Sequence, residues 1–320
     1  MCEWIISQIR TSYIEKVKNL NKWTKASAAL LALGIVSSSV STATYASGSG
    51  AVKTEQTEKH ETKEKDKAAQ TLGQQNIMSV AWYQNSAEAK ALYAQGYNAA
   101  KETLSKKIKN HHGGKKLAIV LDIDETVLDN SPYQATNALK GQSFPEGWHE
   151  WVQSAQAKPV YGAKSFLKYA DRHDVEIFYV SDRSHEKDLD ATIKNLRNEK
   201  LPQADKKHVL LKKEGEKGKT ERRDKVRTDY NLVMLFGDNL LDFDEPKEPT
   251  AKSREALVKQ HEDDFGSKYI IFPNPMYGSW EATLYDNNYG LENNKKIQSR
   301  EQSLRYFDAK TNKVKSYEMK

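Results

Sequence analysis

Asp122 and Asp124 are the residues of this 320-residue chain whose types and spacing most directly suggest chemistry. They follow the short apolar run Leu117–Leu121, and Thr126 lies two residues further on. Such a run predicts a buried strand of a parallel sheet. Carboxylates at the carboxyl end of that strand would lie where open α/β sheets bind ligands. One carboxylate could attack an electrophile while the other moves a proton, which suits phosphoryl transfer through an aspartyl-phosphate.

Three further candidate sites follow later predicted strands. Ser181 ends one strand, a lysine-rich loop (212–219) follows the next, and Asp238 and Asp242 follow another. A single serine or aspartate at such a position is often only a turn or cap residue. Four polar sites after four successive strands are unlikely to coincide by chance, so we expect these side chains to share one site.

The elements that would position these residues alternate along the chain. Strands are predicted at 117–121, 176–181, 208–211, 232–236 and 269–272, and helices at 86–109, 163–173, 186–199, 220–228 and 253–261. This alternation predicts an α/β fold with a Rossmann-like, mainly parallel sheet and helices on both faces. The aromatic-rich stretch 130–159 predicts a small, mostly helical cap. The chain has no glycine-rich GxxxxGK[ST] loop, which argues against the phosphate-binding loop of kinases and ATPases as the source of the chemistry.

The domain organisation follows from composition and periodicity. Residues 47–73 are rich in Lys, Glu, Gln and Thr and predict a flexible charged linker. The folded domain is expected over residues 74–310, with a core from 115–129 and 160–290, a cap from 74–112 and 130–159, and a tail over 311–320. Helical spacing of apolar residues from Ile77 to Tyr83 predicts a first helix, and a second helix should begin after the N-cap Ser86. The apolar stripe of that helix is predicted to be Leu92, Tyr93, Tyr97, Ala100 and Leu104.

The N-terminus has the pattern of an export signal. A basic stretch ends at Lys25, residues 26–36 are almost entirely apolar, and small residues follow up to Ala46. This pattern predicts a signal peptide over residues 1–46, and therefore a secreted protein with no membrane span after cleavage. The long basic region leaves an uncleaved anchor as the alternative. The only cysteine, Cys2, lies in this segment, so the mature chain would have no thiolate nucleophile or thiolate metal site.

The charge distribution limits the partners of the protein. The formal net charge is +6, and half of it lies in residues 1–46, which contain five basic and two acidic residues. The remaining charge is too small for a surface that tracks a phosphate backbone, so a nucleic-acid polymer is not expected as a partner. A homodimer is one of the oligomeric states that the sequence leaves open.

Several segments resemble the haloacid dehalogenase (HAD) superfamily of phosphatases. Residues 122–126 match its DxDxT signature, Ser181 matches the serine or threonine of its second motif, and Gly237–Asp242 matches its GDxxxD motif. The closer resemblance is to bacterial class C non-specific acid phosphatases. It is carried by LDIDETVLDNSPY (121–133), FPEGWHEW (144–151), LFGDNLLDF (235–243) and FPNPMYGSWE (272–281) and covers about residues 75–310. Many members are lipid-anchored, but this chain lacks a cysteine suited to that anchor.

The resemblance implies a catalytic role for each motif residue. Asp122 would be the nucleophile, and Asp124 would protonate the leaving alkoxide and then activate water. One Mg²⁺ per active site would be held by an Asp122 oxygen, the Asp124 backbone carbonyl and Asp238. Asp242 would reach the metal through water or orient its ligands, with a purely structural helix-start carboxylate as the alternative.

The phosphate would be bound by Ser181 and by a lysine of the 212–219 loop. Lys219 is the preferred residue because it begins the next helix, and Lys213 is the second choice. Trp148 and Tyr277 lie in segments that the family uses to stack a nucleobase, although both rings could simply pack the cap onto the core. The expected function is therefore a secreted Mg²⁺-dependent acid phosphatase that hydrolyses small phosphomonoesters, including 5′-nucleotides.

Two other functions are compatible with parts of the pattern. The same fold serves phosphomutases and dehalogenases, but a dehalogenase has no use for a protonating Asp124. A surface protein that binds Ca²⁺ through the acidic residues would need further oxygen ligands at short intervals, whereas Val127 and Leu128 follow directly. The physiological substrate, and whether an exported protein is released or held by the wall, stay open.

Overall fold

A five-stranded parallel sheet organises the structure, a computed structural model that describes residues 51–318 and the side chains of residues 63–318. The strands are β1 (Leu117–Leu121), β2 (Leu128–Asp129), β3 (Lys158–Pro159), β4 (Glu176–Ser184), β5 (Val209–Lys212), β6 (Asn231–Gly237), β7 (Tyr269–Ile271), β8 (Arg305–Asp308) and β9 (Lys313–Ser316). The α-helices are α1 (Ala51–Asn85), α2 (Ala87–Lys109), α3 (Ser131–Lys140), α4 (Trp148–Ser154), α5 (Ala163–Arg172), α6 (His185–Asn198), α7 (Thr220–Asp229), α8 (Ala251–Gln260), α9 (Ser279–Ala282) and α10 (Asn293–Gln302).

The strand order in the sheet is β5-β4-β1-β6-β7, and every neighbouring pair is parallel. The order reverses direction at β1, which places the ends of β1 and β6 beside each other at the crevice where such sheets bind ligands. The five predicted strands are all present. β4 extends three residues beyond its predicted end and reaches Ser184. The predicted α/β fold is confirmed.

Two apolar layers cover the faces of the sheet. Successive side chains of β1 point into opposite layers. Leu117, Ile119 and Leu121 lie in the larger layer, whereas Ala118 and Val120 lie in the smaller one. Helices α2, α5 and α6 contribute to the first layer, and α7 contributes to the second. Both faces of the strands are therefore buried, which is why β1 is apolar along its whole length.

Helix α2 has the predicted start and most of the predicted stripe. The Ser86 hydroxyl accepts a hydrogen bond from the Ala89 N–H at 3.0 Å and caps the helix. Leu92 is 43% exposed and was wrongly included in the stripe. The Tyr97 ring packs against Phe272 with centroids 4.6 Å apart. Because α2 lies directly on the sheet, assigning residues 87–109 to the cap was wrong.

Helix α1 replaces most of the predicted flexible linker. Its sequence is rich in Lys, Glu, Gln and Ala, which are strong helix formers, so a charged composition alone did not imply a flexible chain. Ala68 is buried, and the Gln70 side-chain amide donates to the Lys140 carbonyl at 3.1 Å. A Cβ on Gly73 would lie 2.7 Å from the Ala138 carbonyl oxygen, so glycine permits the close packing against α3.

The cap between β2 and β3 consists of α3 and α4. β2 and β3 pair antiparallel and close its base. Helix α4 is held on α6 by a contact between His149 Nδ1 and Asp188 Oδ1 at 2.8 Å. The Gln153 side chain also donates to the Lys187 carbonyl at 3.0 Å. These contacts fix the helix that carries Trp148.

The C-terminal region is more ordered than the predicted tail. Helix α10 is followed by the hairpin β8–β9, which crosses the predicted boundary at residue 310. The predicted signal peptide, residues 1–46, and residues 47–50 of the predicted linker lie outside the described residues. Within residues 51–318, none of the helices is long and apolar enough to cross a bilayer.

Candidate active site

Three carboxylates converge at the carboxyl ends of β1 and β6. Asp122 follows β1 directly, Asp238 follows β6 directly, and Asp242 ends the short 3-10 helix Leu240–Asp242. One carboxylate oxygen from each of the three lies within 4.8 Å of the other two. The sheet topology accounts for this convergence, because β1 and β6 are parallel neighbours. Residues more than a hundred positions apart thus share one site.

Lys219 joins two of these carboxylates. Its Nζ lies 2.5 Å from Asp122 Oδ1 and 2.6 Å from Asp242 Oδ1, and the residue is buried. Burial disfavours the ammonium, but the charges of Asp122 and Asp242 outweigh this effect and raise the pKa of Lys219. Lys213, the second choice from the sequence, is exposed in the loop after β5. The structure therefore brings Lys219 to the aspartate cluster.

Asp242 has the contacts of a structural capping residue and also contacts Lys219, whereas its predicted role at the metal stays a prediction. Its Oδ2 accepts a hydrogen bond from the Asn239 N–H at 2.9 Å, which makes it part of a capping box. Its Oδ1 accepts from Lys219. A Cβ on Gly237 would lie 2.2 Å from the Asp242 side chain, so the glycine of the GDxxxD motif makes room for this carboxylate.

Asp238 is held by donors from two loops. Thr126 Oγ1 donates to Asp238 Oδ1 at 3.3 Å, and Asn274 Nδ2 donates to Asp238 Oδ2 at 2.8 Å. Burial and the neighbouring charge of Asp242 raise the pKa of Asp238 from 3.8 to about 7, despite the opposing hydrogen bond from Asn274. Burial also raises the pKa of Asp122, although the charge of Lys219 opposes that shift.

The charges of this cluster fit a bound divalent cation. Asp122, Asp238 and Asp242 contribute three carboxylates, whereas Lys219 contributes one ammonium. The ionised cluster therefore has an excess of negative charge in a largely buried site, which is costly without a further cation. All the donors are hard carboxylate oxygens, the ligands that Mg²⁺ and similar ions prefer. The Asp124 side chain does not join the cluster, and the predicted role of its backbone carbonyl stays a prediction.

Asp124 lies in a different environment from Asp122. The Arg183 guanidinium donates to Asp124 Oδ1 from Nη2 at 2.7 Å and from Nε at 3.0 Å. Asn130 Nδ2 donates to the same oxygen at 2.8 Å. Ser181 Oγ donates to Asp124 Oδ2 at 3.1 Å. Asp124 is thus held by cationic and neutral donors rather than by Lys219.

Ser181 is fully buried at the point where β4 passes the site. Its hydroxyl donates to Asp124 and accepts from the Arg183 N–H at 3.1 Å. Arg222 Nη1 donates to the Ser181 carbonyl at 2.6 Å, and Arg222 Nη2 donates to Asp182 Oδ1 at 2.7 Å. In this structure the hydroxyl therefore contacts the acid–base candidate, and its predicted contact with a phosphoryl oxygen stays a prediction.

The two predicted stacking rings approach the catalytic loop from different elements. Trp148 is partly buried, with its ring centroid 5.1 Å from that of Tyr133 and 5.5 Å from the Arg183 guanidinium carbon. Tyr277 is partly buried after β7, and its hydroxyl donates to the Glu125 carboxylate. Each ring combines packing contacts with a contact to a residue of the site, Arg183 for Trp148 and Glu125 for Tyr277, so the packing and stacking interpretations are compatible.

Four polar residues at the site have roles that the sequence did not indicate: Asn130, Glu125, Asn274 and Arg183. Each has a polar contact with a predicted site residue. Arg183 had the most accessible signal, because a cation directly follows Ser181 and Asp182 in the sequence. Its burial could not be inferred, since an arginine after a predicted strand is usually exposed.

Two comparisons with known proteins found relatives of this chain. A family model described as HAD superfamily, subfamily IIIB (Acid phosphatase), matches residues 37–280. The solved class C acid phosphatase from Bacillus anthracis is 44% identical, with a TM-score of 0.71, and the match covers 74% of this chain and 99% of that chain. A second structure of that phosphatase, with tungstate bound, gives the same values.

Proposed function

The chain belongs to subfamily IIIB of the HAD superfamily and is an acid phosphatase, and we propose that it is secreted, depends on Mg²⁺ and hydrolyses phosphomonoesters, 5′-nucleotides included, through an aspartyl-phosphate. The observation that carries the proposal is the convergence of Asp122, Asp238 and Asp242, together with the Lys219 ammonium that contacts two of these carboxylates. This arrangement supplies a nucleophile, a cation for a phosphoryl oxygen and a set of hard metal ligands in one place.

The reaction divides into two steps that use the two aspartates of the catalytic loop. In the first, an Asp122 oxygen bonds to phosphorus as the ester P–O bond breaks, and Asp124 gives its proton to the leaving alkoxide. In the second, Asp124 takes a proton from a water molecule that attacks phosphorus, and the Asp122 carboxylate is released. Lys219 neutralises charge on the phosphoryl group in both steps.

The residues that would hold Mg²⁺ are Asp122 and Asp238, with Asp242 beside them. When bound, the ion would offset the repulsion between the anionic ester and the carboxylate nucleophile. The tungstate bound by the Bacillus anthracis relative supports an oxyanion site in this family, because tungstate is a tetrahedral oxyanion like phosphate. The fixed position of Lys219 supports the same site here.

The inclusion of 5′-nucleotides among the substrates is supported by Trp148 and Tyr277. Both are aromatic, both are only partly buried, and each contacts a residue of the catalytic machinery or its loop: Trp148 through Arg183 and Tyr277 through Glu125. An aromatic ring stacks on any nucleobase, so broad use of 5′-nucleotides would follow. Secretion is supported by the basic, apolar and small-residue pattern of residues 1–46.

An assay with a chromogenic phosphate ester tests the proposal. The purified protein should release p-nitrophenol from p-nitrophenyl phosphate, lose that activity in EDTA and regain it when Mg²⁺ is added in excess. Activity that persists after complete metal removal would contradict the role of the ion. No hydrolysis of any phosphomonoester, combined with tight Ca²⁺ binding, would favour a metal-binding surface protein instead.

A further inference from the structure

We infer that Arg183 is the positioning residue for Asp124, and that it connects this acid–base group to the cap helix α4. The inference rests on the proposed function in one respect, because it takes Asp124 to be the proton-transferring group. It goes further by assigning a role to a residue outside the catalytic motifs and by naming the part of the reaction that this residue controls.

The Arg183 guanidinium is fixed on every side. Nε and Nη2 both donate to the Asp124 carboxylate, at 3.0 Å and 2.7 Å to Oδ1. Nη1 donates to Thr192 Oγ1 at 3.2 Å, and Nη2 also lies 3.4 Å from Asn130 Oδ1. The side chain is 1% exposed. A planar fork held at all three nitrogens can orient a carboxylate in a way that a flexible ammonium cannot.

A second route ties Asp124 to the cap. The Trp151 indole N–H donates to Asn130 Oδ1 at 2.8 Å, and the Asn130 amide donates to Asp124 Oδ1 at 2.8 Å. Trp151 and Trp148 lie on the same helix α4, and the Trp148 ring lies over the Arg183 guanidinium. Helix α4 carries Trp148, the ring that is predicted to stack on a nucleobase. This helix therefore contacts Asp124 indirectly, through Asn130 and through Arg183.

Arg183 makes no hydrogen bond to the other aspartates of the site among the described residues. Its side-chain donors go to Asp124, Asn130 and Thr192, whereas Asp122 and Asp242 are held by Lys219. A change at Arg183 should therefore affect proton transfer and leave phosphate binding and nucleophilic attack largely intact. A residue that only stabilised the fold would affect all substrates alike.

The test compares esters that need the proton with esters that do not. In the Mg²⁺-loaded enzyme, Arg183→Met should lower the single-turnover rate of ester cleavage about 100-fold for an alkyl phosphate and less than about fivefold for p-nitrophenyl phosphate, because nitrophenolate leaves without protonation in this first step. The inhibition constant for tungstate should stay within about twofold, since the phosphate site is untouched. Arg183→Lys, which keeps the charge but loses the fork, should be intermediate.

A double variant shows whether Arg183 acts through Asp124. In an Asp124→Asn background, Arg183→Met should cause no further loss of kcat, because the group that it positions no longer transfers a proton. Glu176→Gln is the matched control: it removes a buried charged group at the opposite end of β4, where Glu176 contacts Lys116, Lys207 and His208. It should leave the ratio of the two substrate rates unchanged.

Two results would overturn the inference: an equal loss in the single-turnover cleavage rate for both esters in Arg183→Met, or a further loss of kcat in the Asp124→Asn background. If Arg183→Met does not fold, Trp151→Phe decides, because it removes only the indole N–H and should lower the alkyl rate alone, by about three- to tenfold. An unchanged ratio in that variant would reject the connection to the cap. Failure of the proposed function would look different, since wild-type turnover itself would be absent or insensitive to EDTA.

Discussion

Asp122 and Asp124 are neighbours in one short loop, yet they belong to two halves of the site that are built on different principles. The metal half consists of Asp122, Asp238, Asp242 and Lys219 and has more carboxylates than cations. The acid–base half consists of Asp124, Ser181, Asn130 and Arg183, and there a single carboxylate is surrounded by donors. The difference supports the different roles that we propose for two identical side chains.

The two halves also differ in what supports them. The metal half rests on the sheet, because Asp122 and Asp238 follow adjacent strands and Lys219 precedes α7. The acid–base half is bonded to the cap through Asn130 and Trp151. In the proposed mechanism, phosphate and metal binding would thus be fixed by the core, whereas the proposed proton-transferring group is bonded to the element that covers the site. Changes in either half should therefore have separable effects.

Asp122→Asn should have the largest effect of the changes considered. An amide cannot form the aspartyl-phosphate, so turnover should fall by about 10⁴-fold or more for every phosphomonoester, whatever its leaving group. Steady-state assays on alkyl and p-nitrophenyl phosphates, with thermal unfolding to verify the fold, check this. Substantial residual activity would move the nucleophile to another residue.

Lys219→Met tests the cation of the metal half. Its removal leaves Asp122 and Asp242 without their ammonium and the phosphoryl oxygens without a neutralising charge, so kcat should fall about 10²–10³-fold. Lys213→Met is the control, because that lysine is exposed in the neighbouring loop. Equal losses in the two variants would reject the assignment of Lys219 as the phosphate-binding lysine.

Asp124→Asn should separate the two halves most visibly. For alkyl phosphates, kcat is expected to fall about 10²–10³-fold. For p-nitrophenyl phosphate, the rate of the first step should fall less, because only the alkoxide needs the proton. The burst of nitrophenol in a rapid-mixing experiment measures that step by itself. A burst rate reduced as much as the alkyl rate would contradict the proton-donating role.

The metal half should also show a pH-dependent effect of Mg²⁺ on thermal stability. The folded-state pKa of Asp238 is raised from 3.8 to about 7, so the metal-free folded protein binds an extra proton and should lose stability as pH rises from about 4 to about 7. Mg²⁺ favours the ionised carboxylates, so it should raise Tm more at pH 8 than at pH 5. Asp238→Asn should weaken this response, and an equal response at both pH values would count against the cluster as the metal site.

Glu176→Gln, far from both halves, should change stability without changing catalysis. Although burial opposes it, hydrogen bonds from Lys116, Lys207 and His208 lower the pKa of Glu176 from 4.5 to about 2. Its contribution is therefore present above pH 4.5 and lost as pH falls towards 2, and it should amount to about 1–2 kcal/mol near pH 6 after solvent screening. Denaturant titrations at pH 6 and pH 3 measure it, and a difference that does not shrink at pH 3 would contradict the assignment.

The sequence was sufficient for the parts of the molecule governed by local pattern. Strands β1, β4, β5, β6 and β7 were predictable because buried parallel strands are short apolar runs, and the positions of Asp122, Ser181 and Asp238 follow from the ends of those runs. The choice of Lys219 over Lys213 relied on its place at the start of α7, where the structure brings it to Asp122.

The features that the sequence did not reveal depend on tertiary contacts. The fork between Arg183 and Asp124 joins the last residues of β4 to the loop after β1, and no spacing rule connects them. Residues 51–73 were predicted to be a linker because disordered chains and exposed helices share the same charged composition. Only tertiary contacts distinguish the two, here the burial of Ala68 and the close packing of Gly73 against α3. Helix α2 was assigned to the cap because periodicity locates an apolar stripe but does not identify the surface that covers it.

The most direct test of the division between the two aspartates is to trap the covalent intermediate. Asp124→Asn should slow hydrolysis of the aspartyl-phosphate, because the base that activates water is missing. The variant would be quenched in denaturant during turnover of p-nitrophenyl phosphate with Mg²⁺, reduced with borohydride and mapped by mass spectrometry. Homoserine at position 122 is the predicted result, since borohydride reduces an acyl phosphate to the alcohol. Homoserine at position 238 or 242, or none in a variant that still turns over, would contradict the assignment of Asp122 as the nucleophile.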